Sequence, residues 1–432
     1  MKIVAFLPAK GTSSRVENKN IKLLDGKPLF LYTLEKLVSC EFIDEVYLDS
    51  ESQIIFDLAS HVDCKFLVRD KELASNRTDG HQLFYNEARQ VDADIYIQIL
   101  GTSPFILKET IERGLQILRE NQTYDSVVLV KRDKQYTWNE KCPNYNLEQI
   151  PNSVDLPDTI IETMGLYITR KEVVLNDKKR IGKSPYLLNA SAIESVDVNY
   201  PDEFILANYI AAGLREKERM LFKNMAYQLS SPILSDIMDD FGYHNQTISE
   251  LQLNITSKKI LGRAKTLKLR ALKEGEDFRG IYDALETYAT ITSDDIIVVE
   301  NECNDLAYFG GLNANLAIRS GAIGAIIGGK TRDTKEVMDL DFPVFSKGGR
   351  CKDVRRRATM ESYNKKIKLY DVEIAPEDLI FADNDGIVVI PKKIEKKILE
   401  VAFEAVAKEK NIVKEIMGDL STDLIIKNNG AF

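Results

Sequence analysis

What most constrains this chain is an alternation of two periodicities, run through twice. In the first half, KIVAFLP, DEVYLDS, DIYIQIL, DSVVLV and GLYIT are short runs rich in β-branched and aromatic residues. Between them lie amphipathic stretches such as PLFLYTLEKLVSC. Strands separated by helices predict βα units around a mostly parallel sheet, whose ligands bind at the carboxyl ends of the strands. After a charged helical stretch, AAGLREKERMLFK, a second α/β pattern begins. ILGRAKTLKLRA, DDIIVVEN, AIGAIIGG, KIKLYDVEI and LIFADNDGIVVIP read as strands, and LNANLAIRSG as a helix. A terminal helix carries Ile394, Ile398, Val401 and Ala405 on one face. The boundary is placed near residue 223, giving domains 1–222 and 223–432 joined stiffly by helix rather than by a flexible linker.

Composition removes several function classes. The 432 residues exceed one ordinary core. With 44% hydrophobic and 29% charged residues and a net charge of −9, the chain has the balance of a soluble globular protein without the electrostatic footprint of a nucleic-acid or membrane binder. The five cysteines (Cys40, Cys64, Cys142, Cys303, Cys351) form no CxxC pair, which disfavours a structural zinc or disulfide framework. Reduced thiols and the absence of a signal peptide or a bilayer-length apolar run predict a cytoplasmic, soluble protein.

The first strand runs into a loop crowded with small, hydroxylic and cationic residues: Pro8, Ala9, Lys10, Gly11, Ser13, Ser14, Arg15, Lys19, Asn20 and Lys22. Backbone N–H groups after a strand, flanked by cations, are suited to a phosphate. Neither the Walker A spacing nor GxGxxG is present. A polar βα loop with solvated charges is the plainer reading.

PAKGTSSRVENKNI followed by LDGKPL resembles the opening of the acylneuraminate (CMP-sialic acid and CMP-Kdo type) cytidylyltransferases. IQILGTSPF, ETMGLYI and ESVDVNYPDEF resemble three later motifs of that family, so the likeness covers roughly residues 1–222. It implies a nucleotidyltransferase fold, Rossmann-like with a mostly parallel sheet, acting on CTP with Mg²⁺ or Mn²⁺ and an acidic sugar acceptor. Lys10, Lys19 and Asn20 would hold the triphosphate, with Pro8, Ala9, Gly11, Ser13 and Arg15 in the same loop. Gln98, Thr102 and Ser103 would lie at the nucleotide–acceptor boundary, and Asp197 would carry the metal. Two positions depart from the family pattern. Ser14 replaces a lysine, with Arg15 beside it as substitute cation, and Asn199 replaces a second aspartate. Asp197 also reads as an N-cap-type residue and Gln98 as a buried amide. Arg69, Arg77 and Asp79 in RDKELASNRTDGH form a candidate substrate loop or a charged surface loop.

In the second half, Gly310 and Gly311 open a helix whose free N–H groups suit a carboxylate. Arg332 and Asp333 follow a buried strand, a placement that suits an anion contact beside a divalent-cation ligand. GGLNANLA…GAIGAIIGGKTRD, DFPVF and EDLIFADNDGIVVIP resemble the RraA-like proteins, a family that includes class II pyruvate aldolases and regulators of ribonuclease E. SPILSDIMDDFG resembles their first helix, so this likeness spans about residues 225–410. It implies an α/β fold, a pyruvate or other 2-keto acid substrate, a divalent metal (Mg²⁺ or Mn²⁺) on Asp333, enolate stabilisation by Arg332, and a site between subunits of a trimer or hexamer. The aldolases' acid falls on Gly311, a departure that admits a non-catalytic oligomerisation or regulatory module. Asn313 and Asn315 are polar candidates for part of that role. The run RCKDVRRRA, with Arg350, Lys352, Arg355, Arg356 and Arg357, reads as a solvated charge run or a substrate entrance. His81 and His244 have no partner at ligand spacing.

A bifunctional chain has chemical logic. The usual acceptors of such cytidylyltransferases are formally aldol products of pyruvate, so the second half would make or trim the acid that the first activates. The competing acceptor is a phosphonate.

Overall fold

The computed structural model describes residues 1–13, 15–75 and 77–430, and the chain divides into two compact units, Met1–Ala211 and Ala212–Phe432. In the first unit a seven-stranded sheet is built from β1 (Ile3–Pro8), β2 (Glu45–Ser50), β3 (Lys65–Val68), β4 (Ile95–Ile99), β5 (Ser126–Asp133), β6 (Thr159–Arg170) and β7 (Pro185–Asn189), in the order β3-β2-β1-β4-β6-β5-β7. β1 pairs parallel with β2 and β4, whereas β6 runs antiparallel to both β4 and β5. β1 and β4 are buried along almost their whole length, as expected of central strands covered on both faces.

The two faces carry different cores. On one, Ile95, Ile97 and Ile99 of β4 meet Phe30, Leu34 and Leu37 of helix α1 (Leu29–Val38) and Leu115 and Leu118 of α2 (Lys108–Glu120). On the other, Tyr96 packs with Phe6 and with Phe84 of the helix Gly80–Ala88. That helix begins at a capping box: Asp79 accepts from the N–H of Gln82, whose side chain accepts from the N–H of Asp79. Asp79 of the candidate substrate loop is therefore occupied as a helix cap.

A 26-residue helix, Pro201–Ala226, runs through the position where the sequence suggested a boundary. Its last turns belong to the second unit. There Phe222 and Met225 join a core with Leu234 and Ile237 of the helix Ser231–Asp240 and with Ile398 and Ala402 of the helix Glu395–Met417. On that last helix Ile398 is fully buried, as the periodicity predicts, while Val401 and Ala405 are half-buried at the edge of a stripe completed by Ala402 and Val406.

The second unit's main sheet centres on β8 (Ile260–Ala271), parallel to β9 (Asp295–Asn301), which continues to β10 (Gly324–Ile327) and β11 (Val344–Ser346). On its other side β8 pairs antiparallel with β12 (Leu379–Ala382), which forms a hairpin with β13 (Ile387–Ile390). KIKLYDVEI is not one strand. Tyr370 takes a positive φ of 54° and folds it into a two-stranded hairpin, Ile367–Leu369 with Val372–Ile374.

Candidate functional site

The loop after β1 is fastened at both ends. Ala9 N donates to the carbonyl of Asp49 at 2.9 Å, and Asn20 Nδ2 to the carbonyl of Lys10 at 2.8 Å. Pro8 and Ala9 thus finish the strand, and Asn20 shapes the loop from within. Lys10 Nζ donates to Ser75 O at 3.2 Å, and burial, then the charge of Arg69, holds its ammonium below the usual lysine range. The N–H of Gly11 donates to Glu51 Oε1 at 2.7 Å, so a carboxylate of the chain itself already sits at this loop. Ser13 is half-buried, and Ser14 lies outside the described residues.

The loop is closed by residues almost two hundred positions away. Lys19, 8% exposed, donates from Nζ to Val198 O at 2.7 Å. Burial lowers its ammonium pKa, while the nearby Asp197 opposes that shift. Arg15 donates to Asn199 Oδ1 at 2.9 Å and stands 5.4 Å from the ring centre of Tyr200. Asn199 Nδ2 donates to Asp197 Oδ2, and Ser103 Oγ to Asp197 Oδ1 at 3.4 Å. Val198 N donates to Thr102 O at 2.9 Å, tying the TSP turn to the same segment. Asp197 is not the cap of the following helix: Glu203 Oε2 accepts from the N–H groups of Asn199 and Tyr200 at 2.6 and 2.9 Å instead. Asp197 and Asn199 line a cleft of about 300 Å³ with Lys131, Glu162, Thr163 and Met164.

The structure therefore gathers Lys19, Arg15, Asp197, Asn199, Thr102 and Ser103, with Lys10 in the same loop. Gln98 is elsewhere. It is fully buried on the β4 face opposite Ile97, where Nε2 donates to Glu87 at 2.6 Å and Oε1 accepts from Arg180 at 3.4 Å. Arg69 is buried in an ion pair with Asp49, and Arg77 is exposed. His81 Nδ1 accepts from the N–H of Arg180 at 3.0 Å. Sequence reasoning missed Arg180, which sits in no motif, and Glu162, which lies within one.

In the second unit Gly310 is the N-cap of the helix Gly311–Ser320, and the N–H of Gly311 donates to Asp333 Oδ2 at 3.3 Å. The expected carboxylate at this helix start is thus the chain's own. Arg332 Nε stands 3.7 Å from the same oxygen, and Arg332 Nη1 lies 3.2 Å from Asp353. A Cβ on Gly311 would meet the carboxyl of Glu336 at 2.3–2.5 Å, so the place an acidic side chain at 311 would enter already holds a carboxylate from the next helix. Asn313 donates to Tyr288 and Asn315 to the carbonyl of Gly311, which commits both amides within the unit. Arg355 and Arg356 lie over the ring of Phe278. All five cysteines are free thiols, and among the described residues no helix is long and apolar enough to cross a membrane. No group of three or more His, Cys, Asp or Glu among the described residues is placed to hold a metal ion.

With these sites in view, the comparisons divide the chain in two. The family model described as cytidylyltransferase matches residues 4–147, and the one described as Aldolase/RraA matches residues 231–389. The first part of the chain is thus similar to cytidylyltransferases and the second to RraA-like proteins. A 3-deoxy-manno-octulosonate cytidylyltransferase of Chloroherpeton thalassium is 30% identical over 131 residues, 30% of this chain and 52% of that protein. An N-acylneuraminate cytidylyltransferase of Escherichia coli is 29% identical over 133 residues, 30% of this chain and 32% of the relative. A CMP-N,N'-diacetyllegionaminic acid synthase of Legionella pneumophila is 28% identical over 222 residues, 48% of this chain and 94% of that protein. The chain therefore spans about half or less of the length of the first two relatives.

Proposed function

We propose that the cytidylyltransferase domain transfers the CMP group of CTP to a hydroxyl of a 2-keto-3-deoxy sugar acid of the sialic acid or Kdo kind. The observation that carries this is the closure of the cationic loop onto the Asp197–Asn199 segment beside the cleft that this segment lines. The acceptor oxygen attacks the α-phosphorus in line, and the bond to pyrophosphate breaks. Lys10, Lys19 and Arg15 bear the charge that accumulates on the leaving group, with Pro8, Ala9, Gly11, Ser13 and Asn20 shaping their loop. The oxygens of Asp197 and Asn199 are hard donors of the type Mg²⁺ or Mn²⁺ takes when substrate phosphates complete its shell. Bound there, the ion supplies charge neutralisation at the phosphates. Pyrophosphate release from CTP, with a panel of sugar acids and phosphonates and with Lys19→Ala as control, tests the reading. Turnover of phosphonates alone would replace the acceptor class, and silence with every acceptor would overturn the activity.

For the RraA-like domain, the carboxylate of Glu336 against Gly311 favours a divalent-cation site acting on pyruvate or another 2-keto acid. Asp333 and Glu336 supply hard oxygen donors for Mg²⁺ or Mn²⁺, and Arg332 offsets the charge of the enolate. Such a domain would make or cleave the acid that its neighbour activates. Metal-dependent exchange of pyruvate methyl protons, lost in Asp333→Ala and in Glu336→Gln, is the expected result. No exchange of any 2-keto acid would leave this domain an oligomerisation or regulatory module. Light scattering reads whether the assembly is the trimer or hexamer that the family likeness implies, and chain location in cells reads the cytoplasmic placement.

A further inference from the structure

Behind the cleft wall lies a polar network with a buried core that the proposed chemistry does not use. Asp49, Glu87 and Gln98 have no solvent-accessible surface, and Arg69 has 3%. Arg69 Nε stands 3.1 Å from Asp49 Oδ1, and its Nη2 donates to the Asp49 carbonyl at 2.8 Å. Asp49 Oδ2 and Glu87 Oε1 are both buried without a hydrogen-bond partner, and a proton on one of these two carboxyls would let it donate to the other. Two ionised acids against one guanidinium would leave a net negative charge out of water, and a single shared proton makes the cluster neutral. Asp49 has the ion pair, so the proton belongs to Glu87, whose carboxyl burial pushes well above the usual range.

From Glu87 the network runs to the cleft in one direction. Glu87 Oε2 accepts from Gln98 Nε2 at 2.6 Å. That contact turns the carbonyl end of the amide toward Arg180, whose Nη1 donates to it at 3.4 Å. The reverse orientation would set an NH₂ group against a guanidinium. Arg180 then donates to the Tyr167 phenol oxygen at 3.1 Å, with its guanidinium 3.7 Å from the ring centre. The Tyr167 O–H donates to Glu162, which lines the cleft beside Asp197.

We propose that protonated Glu87 is a positioning residue for the cleft, which none of the triphosphate-loop cations Lys10, Arg15 and Lys19 lines and which the reading above therefore leaves to the acceptor: it orients Gln98 and, through Arg180 and Tyr167, fixes Glu162 at the wall. This inference rests on the cytidylyltransferase reading above. Glu87→Gln keeps a donor toward Asp49 and an acceptor toward Gln98. Glu87→Ala removes both, and Tyr167→Phe cuts the network at the far end without touching its buried core. The experiment measures KM for CTP and for the acceptor in the full chain, together with the carboxyl carbon-13 shift of Glu87 at neutral pH and crystal structures of the variants. Glu87→Ala and Tyr167→Phe should raise the acceptor KM about tenfold, the scale on which supporting hydrogen-bond partners act, with CTP KM unchanged. Glu87→Gln should match the wild type, and the Glu87 signal should be that of a neutral carboxyl. An ionised Glu87 overturns the proposal, as does an unchanged acceptor KM in Tyr167→Phe or a parallel rise of both KM values. Should the wild type prove silent with every acceptor, the functional reading falls on that result alone. The carbon-13 signal and the Arg180–Tyr167 geometry in the variants still decide this inference, because an ionised Glu87 or a stack unmoved in Glu87→Ala overturns it.

Discussion

The ammonium of Lys19 donates to the carbonyl of Val198 at 2.7 Å, across 179 residues of chain. One contact thereby joins the loop after β1 to the segment bearing Asp197. If Lys19 carries charge in the transition state, Lys19→Ala should cut pyrophosphate release about 100-fold or more, the scale for removing one preorganised electrostatic contact. Lys19→Arg should recover only part of this, because a planar fork does not occupy the site of a compact ammonium. Rates within a few-fold of wild type for Lys19→Ala would remove Lys19 from the chemistry.

The Asp49–Arg69 pair is buried on both sides. Arg69→Met leaves Asp49 and Glu87 without a cation, and removing one partner of a buried pair costs about 3–5 kcal/mol. Denaturant unfolding of the first domain should show that loss. A change below about 1 kcal/mol, the range of exposed pairs, would mean that the pair is solvated in solution.

Lys36 of α1 donates to the carbonyl of Pro104 at 2.7 Å, and burial holds its ammonium at about 8 against an ordinary 10.5. Between those values the folded chain has released the proton while the unfolded chain still binds it, so stability rises with pH across that window. Below it both states hold the proton and the contribution is flat. Lys36→Met should abolish the rise, read as the difference between wild-type and variant unfolding free energies as pH increases. Parallel pH profiles for the two proteins would contradict it.

Gly262 in β8 lets the backbone of Asp294 pass: a Cβ there would stand 2.0 Å from the Asp294 carbonyl oxygen. The obstacle is main chain and cannot rotate aside. Gly262→Ala should destabilise the RraA-like domain by about 1–3 kcal/mol or more, the range for overpacking. Calorimetry should place the loss in the second domain's transition, and an unshifted transition would show that the strands can part.

Much of the frame is legible in the primary structure. Strands such as IVAFLP and DIIVVEN stand out because they are buried on both faces, and the helix Leu29–Val38 because its apolar residues recur at helical spacing. The Gly310–Gly311 helix start and the Arg332–Asp333 loop are legible for a local reason: backbone donors and short motifs need only a few neighbouring residues. Strand direction is not. GLYIT has the same pattern whether β6 runs parallel or antiparallel, so its antiparallel pairing with β4 and β5 leaves no mark on composition. Nor does residue type say that Gln98 faces Glu87 while Ser103 faces Asp197.

The sequence by itself determined the two α/β halves, the loop after the first strand, and the polar residues from which each site is drawn, because these depend on periodicity and local backbone chemistry. Only the tertiary structure decided which of those residues meet. It brought Val198 to Lys19, Arg69 to Asp49, Arg180 to Tyr167, and Glu336 to the space at Gly311. Such contacts join residues far apart or on different elements. Where such a pair is buried, as Asp49 and Arg69 are, the loss of water makes the pairing obligatory, and burial is a property of the folded whole.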